Sequence, residues 1–119
     1  MIAGRKASGG KYRKPKKRKL TGRQSQSRIV KLAEKKTKIL RGRGGVKKLV
    51  SLTDNSANVI IKGKAKMAQI KTVIETPSNT FLARQNVLVK GAIIDTDLGK
   101  AKITNRPSQE GFVQAVIIS

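Results

Sequence analysis

Several residue types that build common catalytic and metal sites are missing from this 119-residue sequence. It has no Cys and no His, so disulfides, thiolate or imidazole metal sites and His-dependent general-base catalysis are excluded. Aromatic residues make up only 3% of the chain, too few for the base-stacking platforms of common single-strand RNA-binding domains. No apolar run suits a membrane span or a secretory signal. The absence of these residue types and patterns is consistent with an intracellular binding protein that has no metal site and no cofactor.

Acidic residues are also scarce. The chain carries 28 Lys and Arg against 6 Asp and Glu, a formal net charge of +22. Residues 1–50 hold 19 of the basic residues and one acidic residue, whereas residues 51–119 hold nine basic and five acidic residues. A field this positive attracts nucleic acid or an anionic membrane, and the lack of an amphipathic aromatic anchor favours nucleic acid.

The densest charge lies in residues 5–23, which contain ten Lys or Arg and no acid. Their few apolar side chains cannot offset a backbone ordering cost of about 1–2 kcal/mol per residue. A Gly-Gly pair and Pro15 favour an extended, bendable path over a helix. We therefore predict a basic N-terminal arm that orders on a polyanion. The alternative, a solvated charged tail, would carry costly repulsion with no partner.

The segment from residue 24 to 36 allows two interpretations. Ile29, Leu32 and Ala33 share one helical face, and Ser27 is a suitable N-cap, so a short helix can begin after it. The same residues could instead form an irregular strap across the domain.

From Lys36 onward the pattern is that of short strands separated by Gly, Asn and Asp turns. Residues 38–41 and 46–53 flank Gly42–Gly45, which predicts a hairpin with a basic tip. A disordered RGG-type tail is the alternative, but such motifs are repeated and this one occurs once. Further strands are predicted at 59–62, 64–75, 87–89, 92–96, 100–104 and 112–118.

A helical turn at 79–85 is predicted to cover one end of the domain with Phe81 and Leu82. The core is expected to consist of Val, Ile and Leu, with Ile94 and Val116 as candidate core positions. The fold class is all-β: a small antiparallel β-barrel with a long, basic, extended N-terminal arm. Residues 1–35 would be the arm and strap, disordered when free, and residues 36–119 the barrel domain.

The sequence gives little support for a catalytic site. Asp95 and Asp97 could form a two-carboxylate site, but pairing with Lys100 or Lys102 is the ordinary explanation for acids beside a turn. The Gly42–Gly45 cluster lacks the Gly-Lys-Ser/Thr ending of a phosphate-binding loop. No catalytic residue is predicted, and the protein is not expected to be an enzyme.

Structured RNA is favoured over DNA, because no helix-turn-helix, zinc-finger or zipper pattern occurs. Recognition would depend on backbone and shape, with bases scarcely read. A DNA-packaging or nucleoid-associated basic protein is the alternative.

Short motifs follow one another over essentially the whole chain: Ser8-Gly9-Gly10-Lys11, Lys16-Lys17-Arg18-Lys19, Arg43-Gly44-Gly45-Val46-Lys47, Glu75-Thr76-Pro77-Ser78-Asn79, Ala83-Arg84-Gln85-Asn86, Val89-Lys90-Gly91-Ala92-Ile93-Ile94, Leu98-Gly99-Lys100-Ala101, Thr104-Asn105-Arg106-Pro107-Ser108-Gln109-Glu110-Gly111 and Gln114-Ala115-Val116. Together they resemble the small-subunit ribosomal protein family of the eight-e type, shared by archaea and eukaryotes. The compact length without a large insertion resembles the archaeal form.

The resemblance implies a β-barrel in the cytoplasmic small ribosomal subunit, with its arm threaded into small-subunit rRNA. The implied partners are that rRNA and other small-subunit ribosomal proteins, with no membrane and no small-molecule substrate. By motif matching, the RNA-facing positions are Lys11, Arg13, Lys16, Lys17, Arg18, Lys19, Arg43, Arg84 and Arg106. The predicted RNA-binding set is completed by Lys14, Arg23 and Lys47.

Overall fold

The computed structural model describes residues 4–13, 15–22 and 27–118. The regular elements in these ranges are mostly strands, which confirms the all-β class. They are β1 (Lys31–Leu32), β2 (Lys36–Arg41), β3 (Lys47–Asp54), β4 (Ser56–Ile61), β5 (Lys64–Glu75), α1 (Thr80–Arg84), β6 (Ile93–Thr96), β7 (Gly99–Ile103) and β8 (Gln114–Ile117), with 3₁₀ turns at Leu20–Gly22 and Arg43–Gly45.

The domain is built on a closed barrel in the order β4-β5-β6-β7-β8. Each successive pair is antiparallel, while β8 closes the barrel by pairing in parallel with β4. Five strands that alternate in direction leave the first and the fifth pointing the same way, so this closure can only be parallel. The predicted barrel is confirmed, and its antiparallel character holds for every pair except the closing one.

The predicted hairpin is confirmed as β2 and β3, which belong to a separate three-stranded sheet in the order β1-β3-β2. Its turn runs through Gly44 and Gly45, at φ 71° and 78°, a conformation in which a Cβ is strained. The hairpin packs against the loop before β8, where the Ser51 amide donates to the carbonyls of Pro107 and Glu110, both at 3.1 Å.

The barrel interior is aliphatic, as predicted. Ile94, Leu88 and Ile103 are the largest of its fully enclosed side chains, each at most 1% exposed. Phe81 is 67% exposed, so its predicted role as a lid is wrong. Leu82 is half-buried, and Ala83 of α1 packs against the core cluster. Val116 is 40% exposed because the alternation along β8 turns Ala115 to the core, and its candidacy as a core residue is therefore also wrong.

Residues 27–32 form an extended strap. No helix occurs between Ser27 and Lys36, so the strap is the interpretation that holds for residues 27–36, while residues 24–26 lie outside the described ranges. Val30 is buried in the core cluster, and its carbonyl accepts from the Leu88 amide at 2.8 Å. The strand predicted at 87–89 is wrong, since this stretch makes only an isolated bridge between Val87 and Lys31.

Residues 4–13 and 15–22 are exposed throughout. Their local order includes a bridge between Arg5 and Lys11, a Lys6 Nζ atom 5.7 Å from the centroid of the Tyr12 ring and the turn at Leu20–Gly22. Gly9, at φ 77°, reverses the chain between the two bridged residues, and the Arg5 Nη1 atom donates to its carbonyl at 3.0 Å. Nothing in these two ranges contributes to the core.

Candidate nucleic-acid interface

The cations predicted in the N-terminal segment are exposed where they are described. None of them forms a salt bridge within the described ranges, whose ion pairs are Lys35–Asp54 and Lys71–Asp97. Two predicted positions, Lys14 and Arg23, lie outside the described residues. The exposed predicted cations of this segment are Lys11, Arg13, Lys16, Lys17, Arg18 and Lys19.

The tip of the β2–β3 hairpin gathers a second group of cations. Arg43 lies in the turn and Lys47 begins β3 directly opposite Arg41. Like charges placed opposite one another across strands destabilise a sheet, so the Arg41–Lys47 pair is a cost that a bound anion would relieve. The neighbouring Lys48 already has a partner within the protein, because its Nζ donates to the Oε1 of Gln109. The exposed cations Arg41, Arg43 and Lys47 are therefore available to phosphate at this end of the hairpin.

The remaining two predicted residues, Arg84 and Arg106, are not brought together. Arg84 ends α1 and lines a cleft of about 400 Å³. Glu75 lines the same cleft, so a carboxylate lies near this arginine. Arg106 lines a different cleft of about 440 Å³, together with Arg28 and Lys90. The two loops thus present separate positive sites.

Arg84 owes its position to two asparagines that bracket α1. The Asn79 side chain caps the helix by accepting from the Phe81 amide at 3.1 Å. Asn86 follows the helix at φ 52°, a left-handed conformation that Asn tolerates better than most residues. Its Oδ1 accepts from the Val73 amide of β5 at 3.2 Å, which ties the end of α1 to the barrel.

Arg106 lies in a loop organised by Asn105. The Asn105 Nδ2 atom donates to Glu110 Oε2 at 2.7 Å and to the Phe112 carbonyl at 2.8 Å. Its Oδ1 accepts from the Gln114 amide at 2.9 Å. The carbonyl of Arg106 in turn accepts from the amides of Gln109 and Glu110, so the arginine extends from a rigid loop.

Three of the described carboxylates, those of Asp54, Asp97 and Glu110, have polar partners within the protein. Asp97 pairs with Lys71 at 3.4 Å, not with either lysine expected from the sequence, and Asp95 lies opposite Lys100 in the ladder without an ion pair. Asp54 is buried, and its Oδ1 accepts from the Asn55 amide, the Ser56 amide and the Ser56 hydroxyl.

The described ranges contain no group of three or more His, Cys, Asp or Glu side chains that could hold a metal ion. Among the described residues, no helix has both the length and the apolar content needed to cross a membrane.

Sequence reasoning missed several cations of the interface. Arg28 and Lys90 join Arg106 only because the strap pairs with residues 86–88, a long-range contact that no local pattern reveals. Arg41 had a readable signal, because in a hairpin with its turn at Gly42–Gly45 it must lie near Lys47.

A small β-barrel whose described cations stand largely without acidic partners belongs to the class of polyanion-binding proteins. The family model described as ribosomal protein S8e matches residues 3–118. The chain therefore belongs to the ribosomal protein S8e family.

Relatives from archaea are similar over nearly the full length of both chains. The small ribosomal subunit protein eS8 of Methanococcus aeolicus is 41% identical over 119 residues, 97% of this chain and 92% of the relative. The protein of the same name from Pyrobaculum aerophilum is 44% identical over 120 residues, 96% and 90% of the two chains. That from Halorubrum lacusprofundi is 39% identical over 116 residues, 96% and 93% of the two chains.

Proposed function

We propose that this protein is a structural constituent of the cytoplasmic small ribosomal subunit, where it binds and stabilises folded small-subunit rRNA. Membership of the ribosomal protein S8e family and the names of the archaeal relatives support this role. The role is non-enzymatic, and the partners are rRNA and other small-subunit ribosomal proteins.

The observation that carries the residue-level proposal is the exposure of cations without compensating acids. Throughout 4–13 and 15–22 every side chain is in solvent, and the hairpin tip sets Arg41 against Lys47. Held apart from a partner, such charges repel one another, while each one that contacts a phosphate releases condensed counterions and gains affinity. These cations are therefore more stable in contact with RNA phosphates than in solvent alone.

The proposal assigns different roles to two parts of the chain. Residues 1–35 serve as the RNA-binding arm and strap, and residues 36–119 form the β-domain that sets their direction. The contacts from the arm are Lys11, Arg13, Lys14, Lys16, Lys17, Arg18, Lys19 and Arg23, and those from the β-domain are Arg43, Lys47, Arg84 and Arg106. With three aromatic residues in the whole chain, recognition is of backbone and shape.

Deletion of residues 1–23 tests the division directly. It removes ten cations but, among the described residues, no buried side chain, so the thermal midpoint should change little while affinity for small-subunit rRNA collapses. A full-length variant with Gln at Lys16, Lys17, Arg18 and Lys19 is the matched companion, because it keeps the length and loses four of the ten charges. It should lose a corresponding part of the affinity.

Sedimentation of the tagged protein through a sucrose gradient distinguishes the ribosomal role from the DNA-packaging alternative. The protein should co-sediment with the small subunit and withstand a duplex DNA competitor. Co-migration with chromosomal DNA would contradict the proposal, and a deletion variant that unfolds at room temperature would show that the arm is structural.

A further inference from the structure

A cleft of about 440 Å³ lies between the strap, residues 87–90 and the loop before β8. Arg28, Lys90 and Arg106 line it, and no acidic side chain is among its lining residues in the described part of the chain. A volume of this size is within the range of about 300–1,000 Å³ typical of small-ligand sites. The lining therefore suits a small anionic group.

Contacts between distant parts of the sequence bring the three cations to the cleft. The strap runs antiparallel to residues 86–88, as the Lys31–Val87 bridge shows, and Arg28 and Lys90, which lie just beyond the paired residues, both line the cleft. Across the cleft, the Arg28 Nε atom donates to the Ser108 carbonyl at 3.3 Å. Arg106 extends from the loop held by Asn105.

The lining between the cations is apolar. Val87 is buried, Leu82 and Val89 are half-buried, and Ile29 is 52% exposed although it lies beside them. A phosphate alone has no use for such a surface, whereas an unstacked base does, since it exchanges water for apolar contact on its face. Asn79 also lines the cleft. Its Oδ1 is engaged in capping α1, which leaves the Nδ2 as a donor for a base edge.

We propose that this cleft holds one unpaired nucleotide of the bound RNA. The phosphate lies among Arg28, Lys90 and Arg106, and the base lies against Ile29 and Val89, the apolar lining residues that keep exposed surface. The proposal rests on the proposed rRNA-binding function and adds to it a site that admits a base, in contrast with the arm and the hairpin tip, which meet the backbone. The planar guanidinium groups of the two arginines suit this role, because they bind phosphate through two parallel bonds and can also stack on a base.

Ultraviolet cross-linking tests the proposal, because zero-length cross-links form only where a base touches the protein. The full chain is bound to a small-subunit rRNA transcript, irradiated and digested with trypsin and ribonuclease. Trypsin releases residues 85–90 as one peptide, which carries Val89. Mass spectrometry should find a nucleotide adduct on this peptide.

Two variants connect the adduct to the cations. Arg106→Gln removes a charge whose side chain has no hydrogen bond to the described protein, and Arg28→Gln/Arg106→Gln removes both arginines. The adduct per bound protein should fall about tenfold for each arginine lost, the scale of one hydrogen bond to a charged group. The matched control, Lys66→Gln/Lys100→Gln, removes two exposed charges from β5 and β7, and should weaken total binding without changing the adduct yield. Equal thermal midpoints in all variants would show that the fold is retained.

The outcomes separate the two proposals. Failure of the unmodified chain to bind the transcript would refute the proposed function itself. Firm binding with adducts confined to arm peptides, or an adduct on residues 85–90 that is equally strong in the cleft variants and the control, would overturn the nucleotide site while leaving rRNA binding intact. A cleft that is cross-linked only to a neighbouring ribosomal protein in assembled subunits would overturn it as well.

Discussion

Replacing Asn105 with Ala removes three hydrogen bonds from the loop that carries Arg106. Two are donated by Nδ2 to Glu110 and to the Phe112 carbonyl, and one is accepted by Oδ1 from the Gln114 amide at the start of β8. A hydrogen bond contributes about 0.5–1.5 kcal/mol net, which bounds the loss at about 1.5–4.5 kcal/mol. Because Asn105 is only half-buried, the freed partners regain water, and we expect a loss of about 1.5–3 kcal/mol.

Urea denaturation of the full chain, followed by the β-sheet signal in circular dichroism, measures this loss. Asn105→Asp is the informative companion, because it keeps an acceptor for Gln114 but loses both donated bonds and places a carboxylate beside Glu110. Repulsion between two adjacent carboxylates is a penalty that is present at neutral pH, where both are charged, and that is lost in acid, where they are neutral.

The Asp variant should therefore be the less stable of the two at neutral pH and approach the Ala variant in acid. Its cleft adduct should also weaken, because Arg106 loses its fixed loop. An Ala variant within about 0.5 kcal/mol of the unmodified protein, the range of ordinary surface changes, would refute the reasoning and show that the loop is held by its backbone alone.

Three further predictions concern the arm, the hairpin and the core. Binding to rRNA should weaken with salt by about 0.7–0.9 in log K per phosphate contacted, and Lys17→Gln should reduce that slope by about one; an unchanged slope would place Lys17 off the backbone. Arg43→Lys should lower affinity with little change in slope, because it keeps the charge but loses the two-pronged guanidinium contact; if only Arg43→Ala has an effect in filter binding, the tip contributes diffuse charge. In thermal unfolding, Ile94→Ala should cost about 2–4 kcal/mol and Val116→Ala about 1 kcal/mol or less, since only Ile94 is enclosed; equal costs would contradict the orientation of β8.

Local chemistry was sufficient to predict the hairpin and most barrel strands. The glycines at the hairpin turn supply positive φ, and the alternation on either side of them gives the strand bounds to within a residue or two. Along β8 the apolar residues are consecutive from Ala115 to Ile118, so period-2 alternation cannot tell which face is inside. Ala115, which pairs with Val59 of β4, is fully enclosed, so tertiary packing decides which face of β8 lies inside.

The cations of the candidate interface were predictable where they are neighbours in the sequence. They were not predictable where the fold brings together cations from distant parts of the chain. Lys16–Lys19 stand out in any reading of the sequence, as does Arg43 in its turn. The cleft depends on Arg28, which approaches Lys90 only through pairing of the strap with residues 86–88. Neither residue lies in a charge run, so no composition or spacing rule would single it out.

Parallel closure of the barrel has a consequence for the order in which the protein becomes functional. The closing ladder joins Asn58 to Gln114, so β4 keeps an open edge until the ribosome has synthesised β8. Pairings of such long sequence separation form late, whereas the basic N-terminal segment leaves the exit tunnel first. We expect nascent chains to engage polyanions before their barrel is closed. A chain truncated before residue 114 would retain the charge needed for that engagement while exposing the edges of β4 and β7, a combination that favours aggregation on RNA over assembly.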